Sequence, residues 1–194
     1  MRLEPASYKA IKYACLNFHY AKAIPVTQVA YNVYNKNNEW SGCITFGAGA
    51  NYNLGKKFGL VGGQFLELTR MALNGKQEST SKAMAIAIRL IKKNYPLVKL
   101  LFSYADKGQN HKGIIYQATN WILIDETETS GEEIYYKGKW RHKRIISRIP
   151  KSLRGKIPKR KKSGKYKYIY PLTNELKKTC SKLKKEYPKN AIEV

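Results

Sequence analysis

The sequence predicts an α/β protein whose mixed sheet combines antiparallel strands with one parallel crossover. Hydrophobic residues make up 43% of the 194 residues and aromatic residues 12%. This is enough to bury a core and too much for a disordered basic chain. Between residues 64 and 104, a strand pattern, a polar loop, an amphipathic helix pattern and an apolar run follow one another. That order indicates two parallel strands joined by a helix.

The elements before the crossover are predicted to be a helix and a β-hairpin. Residues 7–18 carry apolar side chains at helical spacing, and Pro5 lies near the start, where a missing N–H costs little. Thr27–Tyr34 and Trp40–Phe46 alternate with the two-residue period of strands. Residues 35–38 (NKNN), which lie between them, have the composition of a turn.

The crossover itself is predicted from three adjoining patterns. Gln64–Leu73 alternates as a strand with polar side chains on both faces, and Lys82–Lys93 carries an apolar stripe at helical spacing. Val98–Tyr104 is a short, nearly continuous apolar run, typical of a strand covered on both faces. The polar turn before the helix offers three candidate N-caps: Ser79, Thr80 and Ser81.

Three shorter elements are predicted after the crossover. They are a helix over His111–Asn120 and strands over Trp121–Ile124 and Glu133–Trp140. The complete order is α, β, β, β, α, β, α, β, β. This order resembles that of the Gcn5-related N-acetyltransferases, and we therefore expect a mixed sheet of that type followed by a basic C-terminal extension.

Charge divides the chain into two parts. The formal net charge is +24. Residues 1–136 hold 16 basic and 10 acidic side chains, whereas residues 137–194 hold 21 basic and 3 acidic ones. Such a concentration of positive charge repels itself, and a phosphate backbone would relieve that repulsion. We expect an acetyltransferase-like catalytic domain over residues 1–140 and a nucleic-acid-binding extension over residues 141–194.

Cysteine usage and hydropathy indicate where the protein works. Cys15, Cys43 and Cys180 are odd in number and scattered, which fits a reducing cytoplasm and excludes a disulfide framework or a cysteine-based zinc site. The sequence contains no run of about 18 apolar residues, which is the length needed to span a membrane. The first residues lack the apolar core of a signal peptide. We therefore expect a cytoplasmic protein without a membrane partner.

Four segments resemble the Mom proteins of bacteriophages. The segments are residues 18–22 (FHYAK), 65–70 (FLELTR), 103–106 (SYAD) and 113–121 (GIIYQATNW). The resemblance extends over roughly residues 18–124 and is most specific in residues 113–121. It implies a DNA-modifying transferase in the host cytoplasm that converts adenine in duplex DNA to an N6-carbamoylmethyl, glycinamide-like adenine. That modification would protect phage DNA from host restriction.

The candidate catalytic residues are His19, Asp106 and Tyr116. A histidine can take a proton from an attacking amine or bind a transition metal as the neutral imidazole. Asp106 closes a predicted parallel strand, where catalytic groups collect, or else caps the helix that follows. The resemblance gives Tyr116 the role of protonating a leaving thiolate, with core packing as the alternative. If iron is used, His19 and Asp106 would bind it, and His111 could complete the site, although no metal-ligand spacing supports this.

A second group of residues is predicted to bind the donor. Arg70 could hold a carboxylate or phosphate with its planar guanidinium, or could instead pair with Glu67 or Glu78. Ser79, Thr80 and Ser81 lie at a predicted helix N-terminus, where unpaired N–H groups attract anions. The glycine-rich pyrophosphate loop of the superfamily is missing, because this loop has only one glycine. An acyl-CoA and a glycine-derived donor therefore both stay open.

A third group is predicted to contact DNA. Adenine N6 is engaged in base pairing, so the base must leave the stack to react. The candidate pocket residues are Tyr20, Tyr52, Asn120 and Trp121. Lysines interleaved with aromatics suit phosphate contacts, or equally a strand with exposed lysines. The candidate backbone-binding residues are Lys159, Arg160, Lys161, Lys162, Lys165 and Lys167.

Two other functions remain open at this stage. One is a noncatalytic nucleic-acid-binding protein on the same fold. The other is an acetyltransferase that acts on RNA or protein. The sequence predicts no oligomeric state.

Overall fold

A computed structural model describes residues 1–49 and 52–188, apart from the side chain of Tyr52. Within this part of the chain, ten strands form a seven-stranded sheet and a separate three-stranded sheet. The strands are β1 (Arg2–Pro5), β2 (Val29–Tyr34), β3 (Trp40–Gly47), β4 (Phe65–Leu73), β5 (Leu100–Asp106), β6 (Ile122–Glu126), β7 (Thr129–Tyr136), β8 (Lys139–His142), β9 (Lys159–Ser163) and β10 (Lys165–Pro171). The helices are α1 (Tyr8–Asn17), α2 (Thr80–Asn94), α3 (Ile114–Ala118), α4 (Lys151–Arg154) and α5 (Asn174–Ser181).

The large sheet has the order β1-β2-β3-β4-β5-β10-β6, and only its β4–β5 pair is parallel. This mixed sheet confirms the predicted fold class. The helix α2 makes the crossover between β4 and β5, and Ser79 is the cap, because its hydroxyl accepts from the Lys82 N–H at 3.2 Å. No helix of the described residues is long and apolar enough to cross a bilayer.

Both faces of the large sheet are covered by apolar side chains. On one face, α2 buries Met84, Ile88 and Ile91 against β2 to β5 and β10. On the other face, Phe102 and Ile169 pack with residues of α5 and of the 3-10 helix Tyr52–Phe58. Burying side chains of this size stabilises the fold by about 1.5–3 kcal/mol each.

The parallel pair separates early, and this separation positions the candidate site. Backbone pairing between β4 and β5 covers only Phe65–Glu67 and Leu100–Phe102. At the next position, the Ser103 hydroxyl donates to the Leu68 carbonyl at 3.2 Å. If the two strands continued to pair, this carbonyl would accept from a backbone N–H instead. A gap therefore opens in the sheet beyond Glu67 and Phe102.

The predicted boundary after residue 140 runs through both sheets. β10 lies between β5 and β6 and pairs antiparallel with each of them. β9 pairs with β7, so the three-stranded sheet also contains residues from both sides of the boundary. The structure therefore places the second half of the predicted extension inside the fold.

Several predicted elements differ from the observed ones. The single strand predicted over Glu133–Trp140 is wrong, because Lys137 and Gly138 both have positive φ and turn the chain between β7 and β8. Pro5 ends the unpredicted strand β1 instead of starting a helix, and Ser7 caps α1. The helix predicted over His111–Asn120 is confined to Ile114–Ala118.

Candidate active site

Ionisable side chains gather on one face of the sheet beside the gap between β4 and β5. Residues directly opposite each other on paired strands share a face, as do residues two apart on one strand. Lys165 lies opposite Asp106, and Glu67 lies opposite Phe102. Tyr104 is two residues from each of Phe102 and Asp106, and the Lys165 Nζ lies 5.5 Å from its ring centre. Two carboxylates and a lysine thus share this face with a phenol.

The loop after α1 adds His19 and Tyr20 to this face. Their rings stack with centroids 4.3 Å apart, and the Tyr20 ring meets the His111 ring edge-on at 5.5 Å. The Arg70 guanidinium on β4 helps to lower the pKa of His19 and opposes the increase in the pKa of Tyr20. The structure therefore brings together four residues that were predicted separately: His19, Tyr20, Arg70 and Asp106.

His19 is neutral and donates through Nε2. Burial, followed by the charges of Arg70, His111 and Lys22, lowers its pKa to about 4. The Ala21 N–H donates to Nδ1 at 3.1 Å, so the proton of the neutral ring resides on Nε2. In this tautomer, the outward nitrogen is a hydrogen-bond donor. Accepting a proton from an amine, the predicted role, would require the opposite tautomer.

Asp106 caps the turn that follows β5, as the alternative prediction proposed. Its Oδ1 accepts from the Gly108 N–H at 2.9 Å and from the Ser163 hydroxyl at 2.6 Å. Its charge also raises the pKa values of Tyr20 and Lys165, although burial lowers that of Lys165 overall. Asp106 thus joins the end of β5 to the end of β9 and supplies negative charge to the site.

Tyr116 approaches the gap from the opposite face. Its hydroxyl lies 2.7 Å from the Ser103 hydroxyl, and because Ser103 gives its hydrogen to Leu68, Tyr116 is the donor. Burial raises the pKa of Tyr116 to about 12, which keeps the phenol protonated at neutral pH. Its ring stacks on Tyr168 with centroids 4.8 Å apart, so it both packs in the core and presents a proton at the gap.

Glu67 is a site residue that sequence reasoning did not select. It is the last paired residue of β4, and its charge contributes to the raised pKa values of Tyr104 and Tyr116 and opposes the decrease in the pKa of Lys165. Gly49 approaches it so closely that an added Cβ would lie 2.5 Å from Oε2. The available signal was a carboxylate within an otherwise apolar stretch of strand.

A groove between α2 and α3 lies on the same face of the sheet as Tyr116. It is lined by Ser81 and Lys82 from the first turn of α2, by Arg89 two turns further along the same helix, and by Thr119 and Asn120 after α3. Of the predicted donor-binding serines and threonine, Ser81 is therefore at the groove. Ser79 caps α2, and Thr80 accepts from the Gln77 side chain at 3.0 Å.

The structure separates the predicted base-pocket residues. Tyr20 is 49% exposed within the site, whereas Asn120 lines the groove between α2 and α3. Trp121 is fully buried and packs against Tyr116 and Tyr170, so its ring faces are covered and cannot receive a base. The side chain of Tyr52 lies outside the part of the chain that the structure describes.

The predicted DNA-backbone residues also fall into two groups. Lys159, Arg160, Lys161 and Lys162 lie on β9 of the three-stranded sheet. Lys165 and Lys167 lie on β10, where burial lowers their pKa values. Because Lys165 faces Tyr104 and Asp106, it belongs to the site beside the gap.

The described residues do not form a metal site. Among residues 1–49 and 52–188, no group of three or more His, Cys, Asp or Glu side chains could hold a metal ion. Nδ1 of His19 and Oδ1 of Asp106 already accept hydrogen bonds from the protein. The predicted iron ligands His19 and Asp106 therefore do not fit a metal in this arrangement.

Known proteins resemble this chain in fold and in sequence. It resembles mutant forms of the spermidine/spermine N-acetyltransferase SpeG of Vibrio cholerae (TM-score 0.54, 7% identity, covering 92% of this chain and 98% of that one). It also resembles a Bacillus subtilis acetyltransferase in complex with CoA (TM-score 0.51, 11% identity, covering 89% and 99%). These similarities establish a Gcn5-related N-acetyltransferase type of fold, as predicted.

Sequence comparison identifies the family. The chain is 30% identical over 112 residues to the methylcarbamoylase Mom of Escherichia phage Mu, in an alignment that covers 56% of this chain and 46% of that protein. The match thus spans about half the length of this curated relative. A model of the Mom protein family matches residues 1–189. Because this match includes both the gap between β4 and β5 and the basic sheet beyond it, the chain as a whole belongs to the Mom protein family.

Proposed function

We propose that this chain is a phage DNA-modifying transferase that converts adenine in duplex DNA to N6-carbamoylmethyl adenine. The observation that carries the proposal is the pair of groups at the gap: the Glu67 carboxylate on one face and the protonated Tyr116 phenol on the other. The name of the phage Mu relative, a methylcarbamoylase, supports the adduct. Protection of phage DNA from restriction, in the host cytoplasm, belongs to the same proposal.

The two groups have complementary tasks. The exocyclic amine of adenine must lose a proton as its nitrogen bonds to the donor, and a positioned base speeds such a step by about 10²- to 10⁴-fold. Glu67 has the acceptor oxygens for this task, while His19 presents an N–H that can orient the base. Tyr116 can return a proton to a leaving thiolate when the donor is a thioester.

An acyl-CoA donor is supported by the groove between α2 and α3. The Bacillus subtilis neighbour is in complex with CoA, and Lys82 and Arg89 give the groove the positive charge that phosphates require. Acyl transfer from a thioester joins the amine to a carbonyl carbon, whereas the proposed adduct joins N6 to a methylene carbon. A glycine-derived donor can supply the methylene, the carbonyl and the amide nitrogen of the adduct, provided that it carries on the methylene carbon a group that leaves as N6 attacks. It therefore stays in the proposal as the other donor.

The target base is proposed to enter beside Tyr20. A base that leaves the stack is held by stacking and by hydrogen bonds to its polar edge. Tyr20 is half exposed with His19 on one side and His111 on its edge. Arg70 and Lys165 supply positive charge nearby, which suits the phosphates that flank an extruded nucleotide.

The fold also favours a second function, acetylation of RNA or protein. The two solved structures compared above are a spermidine/spermine N-acetyltransferase and an acetyltransferase. In that case the amine would come from a lysine or from an RNA base, while the same two groups would act on it. The products of the two functions differ in composition, so one experiment separates them.

The test is nucleoside mass spectrometry of DNA from bacteria that express the protein. We expect a deoxyadenosine carrying an added C2H3NO from the wild type, and a yield lower by about 10²-fold or more from Glu67→Gln and Tyr116→Phe. Tyr31→Phe is the matched control, because that ring packs in the core on β2, two strands away from the gap. An unmodified digest would favour a noncatalytic binding protein, and acetyl-lysine without a new nucleoside would favour the second function.

A further inference from the structure

The three-stranded sheet has one covered face and one open face. Ile134 of β7 is fully buried on the covered face, where the 3-10 helix Lys143–Arg148 packs and Lys143 pairs with Glu132. The residues opposite one another on the other face are Tyr135 with Trp140, and Glu133 with Arg160. We refer to these four residues as the aromatic face.

The aromatic face presents large rings to solvent in a fixed arrangement. Tyr135 is 44% exposed and Trp140 is 36% exposed, with ring centroids 5.4 Å apart. The Arg160 guanidinium lies 4.2 Å over the Trp140 ring, and two of its nitrogens donate to Glu133 Oε2 at 3.0 and 2.8 Å. Ordered aromatic rings on a surface offer a large contact area at little cost in conformational entropy.

The surroundings of this face are strongly cationic. Residues 137–162 contain 13 lysines and arginines and no acidic residue. Among the described residues, only Lys143, Arg160 and Lys162 of these 13 make an ion pair. The Glu133 carboxylate of the aromatic face is shared by two cations, Arg160 and the adjoining Lys162, so these three side chains together keep a net positive charge.

The aromatic face is connected directly to the candidate active site. The Ser163 hydroxyl, at the end of β9, donates to Asp106, and the adjoining Gly164 carbonyl accepts from the Lys107 N–H at 3.1 Å. A polymer bound along β9 would therefore lie next to the end of β5, where the ionisable residues gather.

We infer that the aromatic face docks duplex DNA. The cations around it bind phosphates, and Trp140 with Tyr135 contacts the bases beside the adenine that leaves the stack. Charge alone would attract any polyanion, but exposed rings between cations add stacking contacts with bases, which a polyanion without bases cannot make. This inference rests on the proposed function, because it assigns the surface that presents the target base to the site.

Binding of unmodified duplex oligonucleotides, measured by fluorescence anisotropy without a donor, tests the inference. We expect Trp140→Ala to weaken duplex binding by about tenfold, because base–aromatic contacts are worth that much or more. The double variant Arg160→Ala/Lys162→Ala should also lower the slope of log affinity against log salt by about two. Its matched control is Lys92→Ala/Lys93→Ala, which removes the same charge from the exposed last turn of α2 on the large sheet.

Three outcomes would overturn the inference. They are wild-type affinity in Trp140→Ala, an equal or larger loss in the Lys92→Ala/Lys93→Ala control, and a parallel loss of heparin binding in Trp140→Ala. Trp140→Phe guards against misfolding, since it keeps the ring contact and should bind within a few-fold of wild type. Because the assay needs no chemistry, its failure leaves the nucleoside measurement intact, and a missing nucleoside leaves the docking result intact.

Discussion

β9 and β10 are neighbours in the chain, and both carry lysines, yet they occupy different environments. In β9, three successive residues, Lys159 to Lys161, are exposed. In β10, Tyr168 and Ile169 are fully buried between β5 and β6. Only Gly164 separates the two strands, and an added Cβ there would lie 1.7 Å from the Thr127 carbonyl oxygen.

The difference shows that cationic composition alone does not determine what a segment does. β10 alternates, with three tyrosines packed on the α2 side and Lys165, Lys167 and Ile169 on the other side. That period-two pattern allows β10 to be buried as a central strand, whereas β9 has no apolar side chains that could pack in a core. The cationic segment therefore contributes a structural strand and a surface strand.

The largest expected effect comes from removing both strands together. A chain that ends at residue 140 loses β10, and with it the pairing partner of both β5 and β6. Uncovered backbone groups and apolar side chains in the centre of a sheet cost more than the whole stability of a typical domain, about 5–15 kcal/mol. We expect no cooperative thermal transition by circular dichroism. A folded, cooperative 1–140 fragment would show that β10 is dispensable.

The next largest expected effect is a difference in stability between single substitutions in β10 and in β9. Tyr168→Ala in β10 creates a cavity in the core and removes the hydrogen bond from its hydroxyl to the Lys112 carbonyl, so we expect a loss of about 3–5 kcal/mol. Lys161→Ala in β9 should change stability by less than about 0.5 kcal/mol. Urea denaturation of both variants provides the measurement. Similar losses in the two would contradict the division between a core strand and a surface strand.

A smaller effect is expected at Asp106, which joins the two regions. Asp106→Asn keeps an oxygen that can accept from Gly108 and Ser163, so its stability should stay close to wild type. It removes the negative charge that acts on Tyr20 and Lys165. Because a nearby charge shifts pKa values by about one unit or more, we expect product yield to fall by about tenfold.

Asp106→Ala separates the structural role of this residue from its electrostatic one. It removes both hydrogen bonds, so its free energy of unfolding should be about 1–3 kcal/mol lower than that of wild type, in addition to the loss of product yield. Thermal melts and nucleoside yield per folded molecule distinguish the two variants. A normal yield from Asp106→Asn would reduce this residue to a structural cap.

Much of the fold between residues 7 and 124 could be predicted because local periodicity reports burial. The amphipathic pattern of α2 and the apolar run of β5 each reflect how a single element packs against the elements on either side of it. β1 could not be predicted this way, since it has four mostly exposed residues whose strand identity depends on pairing with β2. The turn between β7 and β8 was missed because a lysine, Lys137, occupies the first left-handed position.

The candidate site was predictable in its residue types and less so in their protonation and placement. His19, Arg70 and Asp106 were identified, but the tautomer of His19 depends on the Ala21 N–H and its pKa on burial. The sequence also predicts Trp121 in the pocket for the base, because an aromatic residue gives no local sign of being covered on both ring faces. The sequence indicates Glu67 only as a partner for Arg70, and its position at the gap follows from where β4 and β5 stop pairing.

The smallest effect concerns two histidines with the same local hydrogen bond in different regions. His19 Nδ1 accepts from Ala21, and His142 Nδ1 in the three-stranded sheet accepts from Arg144, both at 3.1 Å. The pKa of His19 is lowered from 6.5 to about 4 in the folded state, so the unfolded chain binds a proton first as the pH falls. Stability contributed by neutral His19 is therefore present above pH 6.5 and is lost progressively between pH 6.5 and 4.

His19→Asn keeps an acceptor for the Ala21 N–H and cannot titrate, so the decrease in urea midpoint between pH 7 and 5 should be smaller in this variant than in wild type. His142→Asn is the matched control on the exposed sheet, and an equal reduction in both variants would contradict the half-buried, uncharged state of His19.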